Sequence, residues 1–248
     1  MSNIDYAFFI TLFAGLSTLI GFLFIYIRKD RVGVISKSLG FASGVMITVS
    51  IFDLIPNSFR LLRNNYKNIY VLLIIFIGIT IGAILSNLIN NNFDNKKNDN
   101  KLYKLGIITM FAIIFHNIPE GIVTYVTTTN NIKLGISLAI AISLHNIPEG
   151  ISISIPIYYS TNNKFKSFLY TLISGISEPI GALIAYMFLA KYINSSILGI
   201  LYSIIAGLML NIGYSELYKE SINYNKVNTI KYFFIGFIIM LVSHLILN

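Results

Sequence analysis

The stretch LGIITMFAIIFHNIPEGIVTYVT, residues 105–127, places a histidine, an asparagine, a proline and a glutamate inside a run long enough to cross a bilayer. Its hexapeptide His-Asn-Ile-Pro-Glu-Gly, at His116 to Gly121, recurs at His145 to Gly150 in the next apolar run. A bilayer span takes about 20 mostly apolar residues. An ionisable group at that depth is costly unless it is paired, hydrated or bound to something. The doubled cluster therefore marks a site, and the runs that hold it mark a membrane protein.

Working outward, the chain reads as eight such runs, at about 6–27, 38–56, 69–89, 105–127, 134–158, 167–190, 195–217 and 230–247. Only 11% of the 248 residues are charged and the mean hydropathy is +0.74, whereas soluble domains are about a quarter charged. No basic residue precedes the first run and no small-residue cleavage pattern follows it, so it reads as a retained span. The predicted fold is all-α: one polytopic membrane domain over residues 1–248, eight helices with an inverted 3+2+3 repeat architecture. Residues 90–104 (NNNFDNKKNDNKLYK) are polar and low in complexity and read as a solvated cytoplasmic loop.

Orientation follows from the basic residues, because short cytoplasmic loops collect Lys and Arg. Thirteen of the eighteen flank the odd-numbered loops: Arg28, Lys29, Arg31 and Lys37, then Lys96, Lys97, Lys101 and Lys104, then Lys164 and Lys166, then Lys219, Lys226 and Lys231. The other five are Arg60, Arg63, Lys67, Lys133 and Lys191. Both termini are thus expected outside, with the chain in the cell (plasma or inner) membrane. The net charge of +8 is spread over loops, which argues against a nucleic-acid partner. There is no cysteine, so a metal would bind through nitrogen, oxygen or thioether.

Repetition occurs at two levels. Gly106 to Ile122 aligned with Gly135 to Ile151 gives 11 identities in 17 positions, so spans four and five are copies of one element. A weaker echo at an offset of 163 relates Ser43 to Met46 and Asp53-Leu54 in span two to Ala206 to Met209 and Glu216-Leu217 in span seven. Those two spans cross in opposite directions, and inverted repeats around a midplane site are the common plan of secondary transporters.

Five of the ten acidic residues fall within spans or at their ends: Asp53, Glu120, Glu149, Glu178 and Glu216, with no Lys or Arg deep in any span to pair with them. Carboxylates buried without basic partners stay protonated or recruit a cation. On a helix, residues four apart share a face, so His116 and Glu120 project together, as do His145 and Glu149, with Asn117 and Asn146 about 100° round the helix. Pro119 and Pro148 each remove a backbone hydrogen bond, which predicts a bend and released carbonyls at Phe115 and Leu144. Imidazole, carboxylate and amide oxygen together suit zinc, iron, manganese, cobalt, nickel or cadmium better than magnesium or calcium. Met46 in span two is a candidate thioether and a packing residue alike. His244, alone among apolar residues, is expected at the interface.

The two HNIPEG copies, SGISEPIGA at Ser174 to Ala182, SLGFASGVM at Ser38 to Met46 and the eight-span layout together resemble the ZIP (Zrt/Irt-like) divalent-metal transporters, in particular their bacterial ZupT-type branch. The resemblance implies a metal centre built by His116, Asn117, Glu120, His145, Asn146, Glu149 and Glu178, with Asp53, Glu216 and Met46 as secondary or pathway positions. It also implies uptake of zinc, iron, manganese, cobalt or cadmium toward the cytoplasm, an elevator-like or rocking motion, and a homodimer in the lipid bilayer. The metal would be the substrate, with no prosthetic group. The chain departs from the family in lacking His in its 90–104 loop, and in reading Ser215-Glu216-Leu217-Tyr218-Lys219 where related members carry Asp-Glu-Leu-x-Pro. A metal-gated channel and an intramembrane metallohydrolase are the alternatives. The second is disfavoured because no HExxH is present and Glu120 stands where that motif's second His would be.

Overall fold

Each predicted span is a helix in the computed structural model, which describes residues 2–27, 30–94, 100–189 and 194–247. Arg28, Lys29, Lys96, Lys97 and Lys191, used above for orientation, lie outside the described residues. The membrane-length helices are α1 Asn3–Tyr26, α2 Arg31–Leu62, α3 Asn68–Leu88, α4 Lys101–Asn130, α5 Ile132–Thr161, α6 Lys164–Phe188, α7 Ser195–Tyr224 and α8 Lys226–Ile246. Helix α3 continues without a break to Asp94. Among the described residues there is no strand.

Seven of the eight helices begin earlier than the apolar runs predict. The main cause is capping: the side chains of Ser2, Asp30, Asn100, Asn131, Asn163 and Asn225 each accept a hydrogen bond from the backbone N–H three residues on. A polar residue that satisfies an otherwise orphaned amide starts the helix in the headgroup region, before the hydrocarbon is reached. Asn162, in the short link between α5 and α6, has a φ of 52°, a left-handed conformation that asparagine tolerates better than most residues.

The prolines do not interrupt their helices. Helices α4 and α5 run unbroken through Pro119 and Pro148. Regular α-helix gives way instead to π turns at Ser50–Leu54 in α2, Ala185–Leu189 in α6 and Ile212–Tyr218 in α7. The first and last coincide with the two halves of the weak sequence echo and carry Asp53 and Glu216. Single π turns concentrate at functional sites because they redirect side chains without ending the helix.

The helices sort into two bundles. Helices α1, α4, α5 and α6 pack mainly on one another, as do α2, α3, α7 and α8, and the seam between the bundles is made chiefly by α2 against α5. The largest aliphatic cluster fills this seam, with Ile151 and Ile155 of α5 and Leu105 of α4 meeting Leu39, Val45 and Met46 of α2 and Met209 of α7. The apolar window of α4 is 67% buried, against 28% for α3 and 17% for α8. The hexapeptide helices are thus enclosed by protein, while α3 and α8 leave most of their apolar surface uncovered by the rest of the chain.

Candidate metal centre

Both hexapeptides lie at the middle of the α1/α4/α5/α6 bundle, and close backbone approach puts them there. A Cβ added at Gly121 would overlap the carbonyl oxygen of Glu178 on α6, and one added at Gly150 would overlap that of Thr18 on α1. Each copy uses its terminal glycine to admit a neighbouring helix, in the way small residues allow membrane helices to touch.

The side chains so placed are almost wholly shielded, with His116, Asn117, Glu120, His145, Asn146, Glu149 and Glu178 at 4% exposure or less. His116 Nε2 lies 3.2 Å from Glu120 Oε1, the contact predicted from their spacing, and 3.5 Å from Glu149 Oε1. His145 turns to the other copy, its Nε2 lying 3.1 Å from Glu120 Oε1 and 3.4 Å from Oε2. The two imidazole centroids are 6.0 Å apart. Ligand atoms of His116, His145 and Glu149 all fall within 4.8 Å of one another. Donors around a single ion at about 2.1 Å stand at most about 4.2 Å apart, so an inward shift of a few tenths of an ångström would close the set.

The asparagines orient the periphery. Asn146 donates to Glu178 Oε2 at 2.9 Å and to the Ala14 carbonyl of α1 at 3.0 Å, and Asn117 donates to the Ser174 carbonyl of α6 at 3.3 Å. With their amide N–H groups occupied outward, Oδ1 of Asn117 and Oδ1 of Asn146 have no hydrogen-bond partner, nor do both oxygens of Glu149, Oε1 of Glu178 and both nitrogens of His116. The oxygens, and whichever His116 nitrogen carries no hydrogen, are electron-pair donors, and leaving each buried and unsatisfied costs about 1–3 kcal/mol. Three carboxylates with two neutral imidazoles carry a formal charge of about −3, which one divalent ion reduces to −1 and two carry to +1.

The secondary candidates lie in the other bundle. Asp53 accepts from Asn57 Nδ2 at 2.9 Å, and its Oδ1 lies 3.9 Å from Nδ1 of His244. The histidine expected merely at the interface therefore faces an acid, a pairing invisible between residues 191 positions apart in sequence. Glu216 accepts from Asn90 Nδ2 of α3 at 2.9 Å. Met46 is fully buried in the aliphatic seam. Sequence reasoning missed the carbonyls of Ala14 and Ser174 as amide acceptors, because a main-chain oxygen leaves no signature in residue type.

Residues 90–244 match the family described as ZIP Zinc transporter. The chain belongs to the ZIP family. Named relatives of this ZIP protein match over nearly the whole of both chains. It is 36% identical to the zinc transporter ZupT of Clostridium perfringens, covering 99% of this chain and 97% of that one. It is 35% identical to the ZupT of Campylobacter jejuni, over 96% and 94%, and 37% identical to that of Oceanobacillus iheyensis, over the full length of both. The resemblance to the ZupT-type branch drawn from the hexapeptides thus extends through all eight helices. Like these relatives, which are named as transporters, the chain is not an enzyme.

Proposed function

We propose that this ZIP protein takes up divalent transition-metal ions, zinc foremost, with iron, manganese, cobalt and cadmium as further substrates. It does so through a centre formed by His116, Asn117, Glu120, His145, Asn146, Glu149 and Glu178. The observation that carries the reading is that ligand atoms of His116, His145 and Glu149 gather within 4.8 Å of one another, all buried, in a bundle that also holds unpartnered oxygens of Asn117, Asn146 and Glu178. Imidazole, carboxylate and amide oxygen match ions of intermediate softness. The metal is cargo, so no prosthetic group is required.

The two-bundle architecture supports a carrier. The whole centre rides on α1/α4/α5/α6, and an aliphatic seam has few directional bonds to break when one bundle shifts past the other. Alternating access of this kind moves a fixed site between the two membrane faces. The matched π turns of α2 and α7 support the inverted 3+2+3 organisation. With the termini outside, Asp53 lies toward the outer end of α2 and Glu216 toward the cytoplasmic end of α7, which makes them pathway residues on either side of the centre. Met46 has the burial of a packing residue between them. The protein works in the cell membrane as a single domain, and its lipid-facing α3 and α8 leave surface for a homodimer.

The test is metal uptake into liposomes, read by a trapped indicator, with the wild type beside Glu120→Ala and Glu149→Ala. Saturable uptake of zinc that falls by about 100-fold in both variants is expected, at or beyond the upper end of losses seen for partners of metal ligands. Uptake unchanged in both would remove the centre from the mechanism. Flux that rises linearly with concentration without saturation would identify a channel.

A further inference from the structure

Three of the five basic residues assigned to the outer side, Arg60, Arg63 and Lys67, fall within eight positions of the α2–α3 hairpin. They run against the tendency of Lys and Arg to gather in the cytoplasm. No acidic residue occurs between Asp53 and Asp94, so the hairpin holds no carboxylate of its own to neutralise them.

The structure brings Arg60 and Arg63, one helical turn apart, to a single groove of about 480 Å³ between the end of α2 and the start of α3. The rest of its wall is apolar, including Ile55, Phe59, Leu72 and Ile75. Leu72 is 56% exposed, and in the same hairpin Tyr66 and Tyr70 are 42% and 56% exposed. Tyrosines of this kind mark the headgroup level. The groove is thus cationic at the interface and greasy where it descends.

We propose that it binds an anionic glycerophospholipid of the outer leaflet, its phosphodiester held between the guanidiniums of Arg60 and Arg63 and one acyl chain laid over Phe59, Leu72 and Ile75. Guanidinium forks match phosphate oxygens in geometry and charge. Apolar wall below the arginines suits a hydrocarbon chain and gives nothing to a free, hydrated phosphate. The lipid would hold the α2–α3 corner at headgroup level, making α2/α3/α7/α8 the bundle fixed in the membrane. The inference rests on the hairpin alone, apart from the choice of leaflet, and stands or falls separately from the metal centre.

Native mass spectrometry of the purified full chain tests it, with phosphatidylglycerol, phosphatidylcholine and glycerol phosphate as probes. At about 1 kcal/mol for each basic residue, two arginines predict a preference of about thirty-fold for phosphatidylglycerol over phosphatidylcholine in the wild type. The preference should vanish in Arg60→Gln/Arg63→Gln, persist in part in Arg60→Lys/Arg63→Lys, which keeps the charge without the fork, and be unchanged in Arg31→Gln at the opposite membrane face. Equal retention of the two lipids by the wild type would overturn the proposal, and that comparison needs no variant to fold. So would a preference that survives loss of both arginines, or competition by glycerol phosphate as strong as that by the lipid.

Discussion

The two hexapeptides are identical in sequence and differ in what they do. In the first copy, Glu120 stands against both imidazoles, and Asn117 reaches only a main-chain carbonyl of α6. In the second, both oxygens of Glu149 lack a hydrogen-bond partner, and Asn146 ties a carboxylate of α6 to a carbonyl of α1. The divergence comes from the neighbours. Gly121 receives α6 and Gly150 receives α1, and the second copy's Asn146 reaches both of these helices while the first copy's Asn117 reaches α6. A duplicated motif supplies matching donors, and unequal surroundings assign them unequal roles.

The most severe way to break this pairing is to fill either contact. Gly121→Ala and Gly150→Ala each place a methyl group inside a neighbouring carbonyl. Each should cost about 3 kcal/mol, the upper range for overpacking, or roughly 6–12 °C in Tm at this chain length. Thermal unfolding in detergent measures it. A drop for one glycine alone would mean that only one copy is held by its neighbour.

The asparagines sharpen the comparison further. Asn146→Ala leaves Glu178 without its amide donor, while Asn117→Ala frees only a main-chain carbonyl. Loss of a group that orients a metal ligand costs roughly 10–100-fold in affinity or activity. Zinc uptake by the Asn146 variant should therefore fall about tenfold further than uptake by the Asn117 variant. Equal losses would show that both amide oxygens act alike at the ion and that the link to Glu178 is incidental.

The smallest effect expected is on pH. Ligand histidines and carboxylates must release protons to bind a cation, so affinity falls as pH falls. Lowering the pH from about 7.5 to about 5.5, across the usual range of histidine, should raise the half-saturating zinc concentration several-fold. In His116→Gln, whose side chain does not titrate, the remaining dependence should be shallower, and initial uptake rates at graded zinc concentrations would show whether it is.

Much of this was legible beforehand. Eight apolar runs announced eight helices, since burying that much hydrocarbon in water is prohibitive and a lipid core leaves helix as the simplest closed solution. The i, i+4 spacing announced the His116–Glu120 contact. Its counterpart in the second copy did not follow from the same rule, because His145 finds Glu120 across the interface between α4 and α5. Helix starts were placed too late where an asparagine cap lay well ahead of the apolar run, as at Asn100, Asn131, Asn163 and Asn225. The prolines at the centre leave their helices unbroken, and the π turns fall at Ser50–Leu54, Ala185–Leu189 and Ile212–Tyr218, where residue types alone carry no warning.

By itself, the sequence determined that the chain spans a membrane, that two of its spans are copies of one element and which side chains are candidates for a site, because hydropathy, repetition and residue type are local properties. Only the tertiary structure decided that the helices divide into two bundles, that Asn146 joins Glu178 to the second copy, that His244 faces Asp53 and that two arginines share one groove. Those outcomes depend on which surfaces meet across distant stretches of chain, which no local property of the sequence encodes.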